Sequence, residues 1–303
     1  MPPVIEIKAL TKFYRAQRGI EDLSLSVAQG QIYGFVGPNG AGKTTTIRLL
    51  LGFMRPTSGS VRLFDEPSGP GTLSHRARLG YLPGELGLPE RMTGRGALNF
   101  YAKVSHSPAP LRPWLCEKLA LDDSILRRRI GSYSKGTKQK IGIIQALQHD
   151  PEVAILDEPT TGLDPFMQQA FFEILKELKS RGRTVFFSTH ILSEVRSACD
   201  RAAVVRDGRL MLDRPLSGLS EDAGRLLWVR LDSQTHASVP SEQTPEIGPA
   251  QFLRHEPNGW LVYEVEAKDS STILPLLAAL RPADFRFEIR SDDMFFGSNF
   301  ADQ

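Results

Sequence analysis

At 303 residues the chain has room for one large α/β domain and a smaller appendage, with length enough to bury a substantial core. Its 37 lysines and arginines against 35 acidic residues leave a formal charge of +2, which gives no electrostatic reason to expect a nucleic-acid surface. Two cysteines far apart in sequence, Cys116 and Cys199, form neither a CxxC pair nor a disulfide framework, and this fits the cytosol.

The opening MPPVIEIKALTKFYR lacks the basic, apolar, small-residue order of a signal peptide. No uncharged apolar run approaches the ~20 residues needed to span a bilayer, so the expectation is a chain that does not cross a membrane by itself. Three segments then read as strands: residues 4–10 (VIEIKAL), 22–27 (DLSLSV) and 31–37 (QIYGFVG), with AQG supplying a turn. They predict an N-terminal β layer. After Gly42 the pattern turns helical, with Ile47, Leu50 and Leu51 in phase.

From about 86 to 147 the sequence is mainly helical, interrupted by a proline- and serine-rich connection at 105–113, and closes in a helix bearing Ile141, Ile144 and Leu147. This predicts a helical insertion. The α/β pattern then resumes with a buried strand at 153–156 (VAIL) and a helix presenting Phe171, Ile174, Leu175 and Leu178. A strand at 184–189 (TVFFST) follows, then a helix from Ile191 whose apolar face holds Val195, Ala198 and Cys199. Such alternation implies a parallel sheet covered by helices. Asp207-Gly208 is a hairpin signal that would close the domain near Leu212. Beyond Pro215, strand-like segments at 226–231, 251–255, 260–266 and 285–290, with a helical LLAALR stretch, predict a small α+β domain of ferredoxin-like order. The predicted division is therefore 1–214 and 215–303.

The run GPNGAGKTT (Gly37, Pro38, Asn39, Gly40, Ala41, Gly42, Lys43, Thr44, Thr45) matches the phosphate-binding loop G-x-x-x-x-G-K-[ST] and stands after a strand and before a helix. The glycines let successive N–H groups turn toward phosphate oxygens, and the helix N-terminus adds a favourable dipole. Lys43 would reach the terminal phosphates, and Thr44 would offer a hydroxyl to Mg²⁺. A flexible turn explains the glycines but not the lysine-threonine pair. In VAILDEP, four apolar residues precede Asp157 and Glu158. Ligands of open parallel sheets bind at the carboxyl ends of strands, so this pair faces the same crevice. Asp157 is expected to hold Mg²⁺, through water, and Glu158 to activate or position the attacking water.

These two motifs are common to kinases, GTPases and transport ATPases. A third feature narrows the field: SYSKGTKQK at 132–140 resembles the LSGGQ signature of the ABC ATPase family, keeping Ser134 and Gly136. Those two suit an anion-binding helix start, although Ser134 is equally an ordinary N-cap. The resemblance runs from about Val4 to Leu212. TTGLDP resembles the family's D-loop, in which Asp164 would meet the opposite subunit; its alternative role is an N-cap before Pro165. STH at 188–190 resembles the switch motif, with His190 directed at the γ-phosphate. Tyr14 stands where the family commonly stacks an aromatic on adenine, with Phe13 as the rival. The clearest departure is Gly84, followed by Glu85, where family members usually carry a glutamine that touches the metal and the attacking water. That contact passes to Glu85 or to water. Arg127, Arg128 and Arg129 read as a solvated loop.

The resemblance implies a P-loop NTPase core of the ABC type that binds ATP and Mg²⁺, with Glu158, His190 and Lys43 catalytic. Each site would be shared between two subunits, in a homodimer or with a paralogous ATPase. It also implies a separate transmembrane permease, a cytoplasmic location on the inner face of the membrane, and similarity to bacterial drug- and antibiotic-resistance exporters. The alternative is a soluble relative acting on nucleic acid or ribosomes. Such proteins usually carry two cassettes or a long coiled-coil insertion, and the sequence shows neither.

Overall fold

The computed structural model describes residues 3–14, 17–72, 75–106 and 108–216, together with strands at 225–230, 250–256, 260–265 and 284–289. The chain divides into two units, Met1–Leu216 and Ser217–Gln303.

In the first unit β1 (Ile5–Tyr14) pairs antiparallel with β2 (Gln17–Val27) and with a strand at Ser58–Leu63, β4, which carries a short β5 (Glu66–Pro67). This is the expected N-terminal layer, with one correction. The third expected strand, β3 (Ile32–Val36), leaves it and lies in the central sheet. The reason is burial: all five residues of β3 are buried, which suits a strand covered on both faces rather than one in a half-exposed antiparallel layer.

The central sheet runs in the order β10 (Arg209–Pro215), β9 (Arg201–Arg206), β3, β8 (Thr184–Thr189), β7 (Val153–Asp157), β6 (Leu79–Leu82). All neighbours are parallel except the β9–β10 hairpin. Its turn has Asp207 at φ 50 and Gly208 at φ 75, the two left-handed residues that a type I′ hairpin requires. Strands β4, β5 and β6 lie between predicted elements and were not expected from the pattern.

Side chains alternate across the sheet and so feed two cores. Ile155 and Phe186 join Phe35, Ile47 and Leu50 beneath the antiparallel layer, while Leu156 and Phe187 join Phe171, Ile174 and Leu175 on the other side. The first core receives α1 (Lys43–Leu50), in which Leu49 is buried and Leu51 is the C-cap. The second receives α6 (Pro165–Ser180) and the insertion helices α2 (Gly94–Val104), α3 (Arg112–Lys118), α4 (Asp123–Leu126) and α5 (Lys135–Leu147).

The last helix, α7 (Leu192–Ala198), begins after Ile191, which is exposed rather than part of its buried face. Cys199 caps that helix, with its sulfur turned toward Gly34 and Val195, and burial raises its thiol pKa. Among the described residues, no helix is long and apolar enough to cross a membrane.

The second unit presents β11 (Arg225–Arg230), β12 (Ala250–Glu256), β13 (Trp260–Val265) and β14 (Asp284–Ile289). They pair antiparallel in the order β12-β13-β11-β14, the order of a ferredoxin-like sheet. The expected LLAALR helix lies outside the described residues.

Candidate functional site

Four neighbouring parallel strands end at nearly the same level. Val36 pairs with Thr189, Ser188 with Asp157, and Leu156 with Leu82. The loops that follow therefore open on one crevice, and they are the phosphate loop, the acidic pair, the histidine turn and the Gly84 segment.

The phosphate loop leaves β3 at Gly37, whose N–H donates to the Thr189 carbonyl at 3.1 Å. Gly42 caps α1 at φ 98, and a Cβ there would lie 2.6 Å from Ile20 Cγ2 and 2.8 Å from the Gly19 carbonyl, so glycine is required twice over. Gly40 is also left-handed, Asn39 is exposed, and Ala41 is buried, its N–H donating to the Pro38 carbonyl at 3.2 Å. Lys43 is buried, with Nζ donating to the carbonyls of Gly37 at 2.7 Å and Pro38 at 3.1 Å.

Thr44 donates its hydroxyl to Asp157 Oδ2 at 2.8 Å, which brings the two expected metal-binding groups into contact. A hydroxyl and a carboxylate are the hard oxygen donors that Mg²⁺ accepts, and Mg²⁺ needs few of them because it keeps waters and phosphate oxygens. The residues present fit that ion. Among the described residues, no cluster of three or more His, Cys, Asp and Glu makes a site of protein ligands alone.

Glu158 has φ 48, an unusual conformation for a residue with a side chain. Its Oε1 lies 3.5 Å from Lys43 Nζ and 3.5 Å from His190 Nδ1, between the two. The turn that presents His190 is fixed by Thr189, whose hydroxyl donates to the buried Glu194 at 2.5 Å and accepts from the Ile191 N–H at 3.0 Å. His190 itself is 45% exposed and so can meet a ligand from the crevice.

Tyr14 and Phe13 are both exposed. The Tyr14 hydroxyl lies 3.4 Å from Thr45 Oγ1 and donates to Met54 Sδ at 3.4 Å, which puts this ring beside the end of the phosphate loop. At Gly84 an added Cβ would come within 3.3 Å of Asp157 Oδ2, so here the loop backbone itself covers the carboxylate. Glu85 is exposed and has no hydrogen bond or ion pair among the described residues. Nearby, burial raises the Tyr81 pKa and the Asp157 charge adds to the rise, so that phenol stays protonated.

Ser134 and Asp164 take up the capping positions of α5 and α6. Ser134 Oγ accepts from the Thr137 N–H at 3.2 Å, and Asp164 Oδ1 accepts from the Met167 N–H at 2.9 Å, with Pro165 as the first helical residue. The two turns touch each other, since a Cβ on Gly136 would lie 2.7 Å from the Gly162 carbonyl. Neither cap hydrogen-bonds the phosphate loop of its own chain among the described residues.

Two residues of this site went unassigned in the sequence. Ser188 bridges Asp157 and Glu158, and Gln139 reaches the Pro159 carbonyl. Gln139 did carry a signal, because it shares the i, i+4, i+7 face of Ile143 and Ala146, where an apolar residue is the norm.

Residues 20–161 match the family described as ABC transporter. The chain is 36% identical to the bacitracin transport ATP-binding protein BcrA of Bacillus licheniformis over 80% of each chain. Among solved structures, an ATP binding subunit of an ABC transporter aligns with a TM-score of 0.66 at 32% identity, covering 71% of this chain and 91% of that one. A dimeric bacterial ABC transporter cassette aligns with the same TM-score at 21% identity, over 71% of this chain and 99% of that one, which speaks for the fold alone. Likeness of this extent, on a crevice already built for a phosphate chain, makes the protein a member of the ABC transporter family, as an ATP-hydrolysing subunit that powers a membrane transporter.

Proposed function

We propose that this subunit hydrolyses ATP with Lys43 holding the terminal phosphates, Thr44 and Asp157 holding Mg²⁺, and Glu158 accepting a proton from the attacking water while His190 meets the γ-phosphate. The observation that carries this reading is the place of Glu158 Oε1, 3.5 Å from both Lys43 Nζ and His190 Nδ1. A carboxylate between two cationic or hydrogen-donating groups has its orientation fixed, as a general base requires. Mg²⁺, when bound with the nucleotide, neutralises phosphate charge there. Tyr14 is assigned to the adenine on the strength of its contact with Thr45.

Ser134, Gly136 and Asp164 point to a shared site. They lie at two mutually packed helix starts that make no hydrogen bond to their own phosphate loop among the described residues, which supports a role toward the nucleotide of a second ATPase subunit. Two ATP molecules would then hold the subunits together, and hydrolysis would release them and move a separate transmembrane permease on the inner face of the membrane. Similarity to the Nod factor export ATP-binding protein I of Burkholderia pseudomallei, 36% identical over 68% of each chain, supports export as the direction.

Purification from membranes in mild detergent with ATP tests this assignment. The expected result is a copurifying polytopic membrane protein; recovery only with ribosomes or DNA would overturn it. For the Gly84 departure we assign the missing glutamine contact to water, since Glu85 is exposed and without partners among the described residues. Glu85→Ala is therefore expected to keep its ATPase rate and Mg²⁺ dependence within about twofold of the parent in a Mg²⁺ titration. A larger change in either would return that contact to Glu85.

A further inference from the structure

Glu158 carries its carboxylate on a left-handed backbone, and such a conformation persists only where the surroundings over-determine it. Two buried polar side chains do so, one at its N–H and the other at its carbonyl. Ser188, fully buried near the end of β8, uses one hydroxyl twice: it donates to Asp157 Oδ1 at 2.5 Å and accepts from the Glu158 N–H at 3.1 Å. The same N–H reaches the Ser188 carbonyl at 3.2 Å. Gln139, 5% exposed in α5, donates its side-chain amide to the Pro159 carbonyl at 2.8 Å and to the Glu158 carbonyl at 3.4 Å.

We propose that Ser188 and Gln139 are positioning residues for ATP hydrolysis, forming a clamp that fixes the Glu158 carboxylate relative to Asp157 and to the signature helix. The proposal rests on Glu158 being the base. Ser188 sets the Asp157 carboxylate against the Glu158 backbone, from which the Glu158 carboxylate projects, because turning either the Asp157 side chain or the Glu158 peptide breaks its bond to the shared hydroxyl. Gln139 ties the acidic turn to the helix whose start carries Ser134 and Gly136. A second contact reinforces that tie: Gly136 packs against the Gly162 carbonyl, and the Lys135 stem lies across Gly162. Movement at the start of α5 is thereby passed to the turn at 158–162.

A bland reading holds that any buried serine or glutamine must find partners. It accounts for one bond each. It does not account for four side-chain contacts converging on three consecutive residues, one of which is held in the left-handed region.

The test uses the full chain and compares Ser188→Ala, Ser188→Thr, Gln139→Met and Glu158→Gln. Ser188→Ala and Gln139→Met are expected to lower kcat about tenfold or more with little change in KM, since a small misplacement of a catalytic group costs rate rather than binding. Of these two residues only Ser188 hydrogen-bonds Asp157, so of these two substitutions only Ser188→Ala should also shrink the gain in affinity for a fluorescent ATP analogue that Mg²⁺ brings. Ser188→Thr keeps the hydroxyl and should recover both properties. Unchanged kcat in Ser188→Ala and Gln139→Met, beside an inactive Glu158→Gln, would remove the clamp and leave the base. Loss of kcat in step with analogue affinity and melting temperature would make both residues mere scaffold and also overturn it. Normal turnover in Glu158→Gln would instead remove the base assignment underneath.

Discussion

Glu158→Gln is expected to cut ATP turnover about a hundredfold or more while leaving ATP binding in place. Glutamine is close to isosteric, so the side chain can keep its place 3.5 Å from Lys43 Nζ and from His190 Nδ1, yet an amide cannot take up a proton from water. Thr44 and Asp157 are untouched, because their contact is a separate hydrogen bond. Nucleotide should therefore load normally and persist, and the variant should accumulate as an ATP-held dimer in size-exclusion chromatography. Turnover near that of the parent would show that another group accepts the proton. A variant that fails to bind ATP would show that Glu158 serves the architecture of the loop and not the chemistry.

Gly37→Ala is expected to lower both folding stability and ATP affinity, although it adds one methyl group. The new carbon would overlap the Val205 carbonyl oxygen and press on Ala41 Cβ at 3.0 Å. Backbone carbonyls cannot rotate away as a flexible side chain can, so the loop must move, and overpacking of this kind costs typically about 1–3 kcal/mol. Movement is costly for function too, because the Gly37 carbonyl accepts from Lys43 Nζ at 2.7 Å and the Gly37 N–H is bonded to Thr189, beside His190. Thermal unfolding and a fluorescent nucleotide titration read the two losses separately. Retention of full ATP affinity would mean that β9 yields instead of the loop.

The site was legible where chemistry is local in sequence. Nine consecutive residues from Gly37 to Thr45 state their own turn and helix start, and Asp157-Glu158 follow an apolar run long enough to be a buried strand. The last C-terminal strand showed through its alternation, DFRFEI, and WLVYEV through its β-branched and aromatic content. What escaped depends on partners distant in the chain. β3 reads like its neighbours β1 and β2, and only its burial between β8 and β9 moves it to the other sheet. The segments SGSVRL and LGYL are too short and mixed to announce strands, since pairing rather than propensity makes them. Ser188 owes its role to Asp157, 31 positions earlier, and no spacing rule links them. The helix expected from Ile191 failed at its first residue because the Thr189 hydroxyl holds the Ile191 N–H in a turn before α7 can begin.

The hairpin tip at Asp207-Gly208 does more than reverse the chain. Its Gly208 N–H donates to the Ala41 carbonyl at 3.2 Å, its carbonyl accepts from the Glu21 N–H at 2.8 Å, and a Cβ on Gly208 would meet the Gly19 carbonyl at 2.8 Å. The tip is thus a wedge seated between β2 and the underside of the phosphate loop. Synthesis runs from the N-terminus, so the Gly37–Thr45 segment leaves the ribosome long before its wedge does. A nascent chain halted between residues 190 and 208 would carry the phosphate loop, the acidic pair and His190 and still lack the support beneath the loop, so the capacity to grip ATP should arise late in translation.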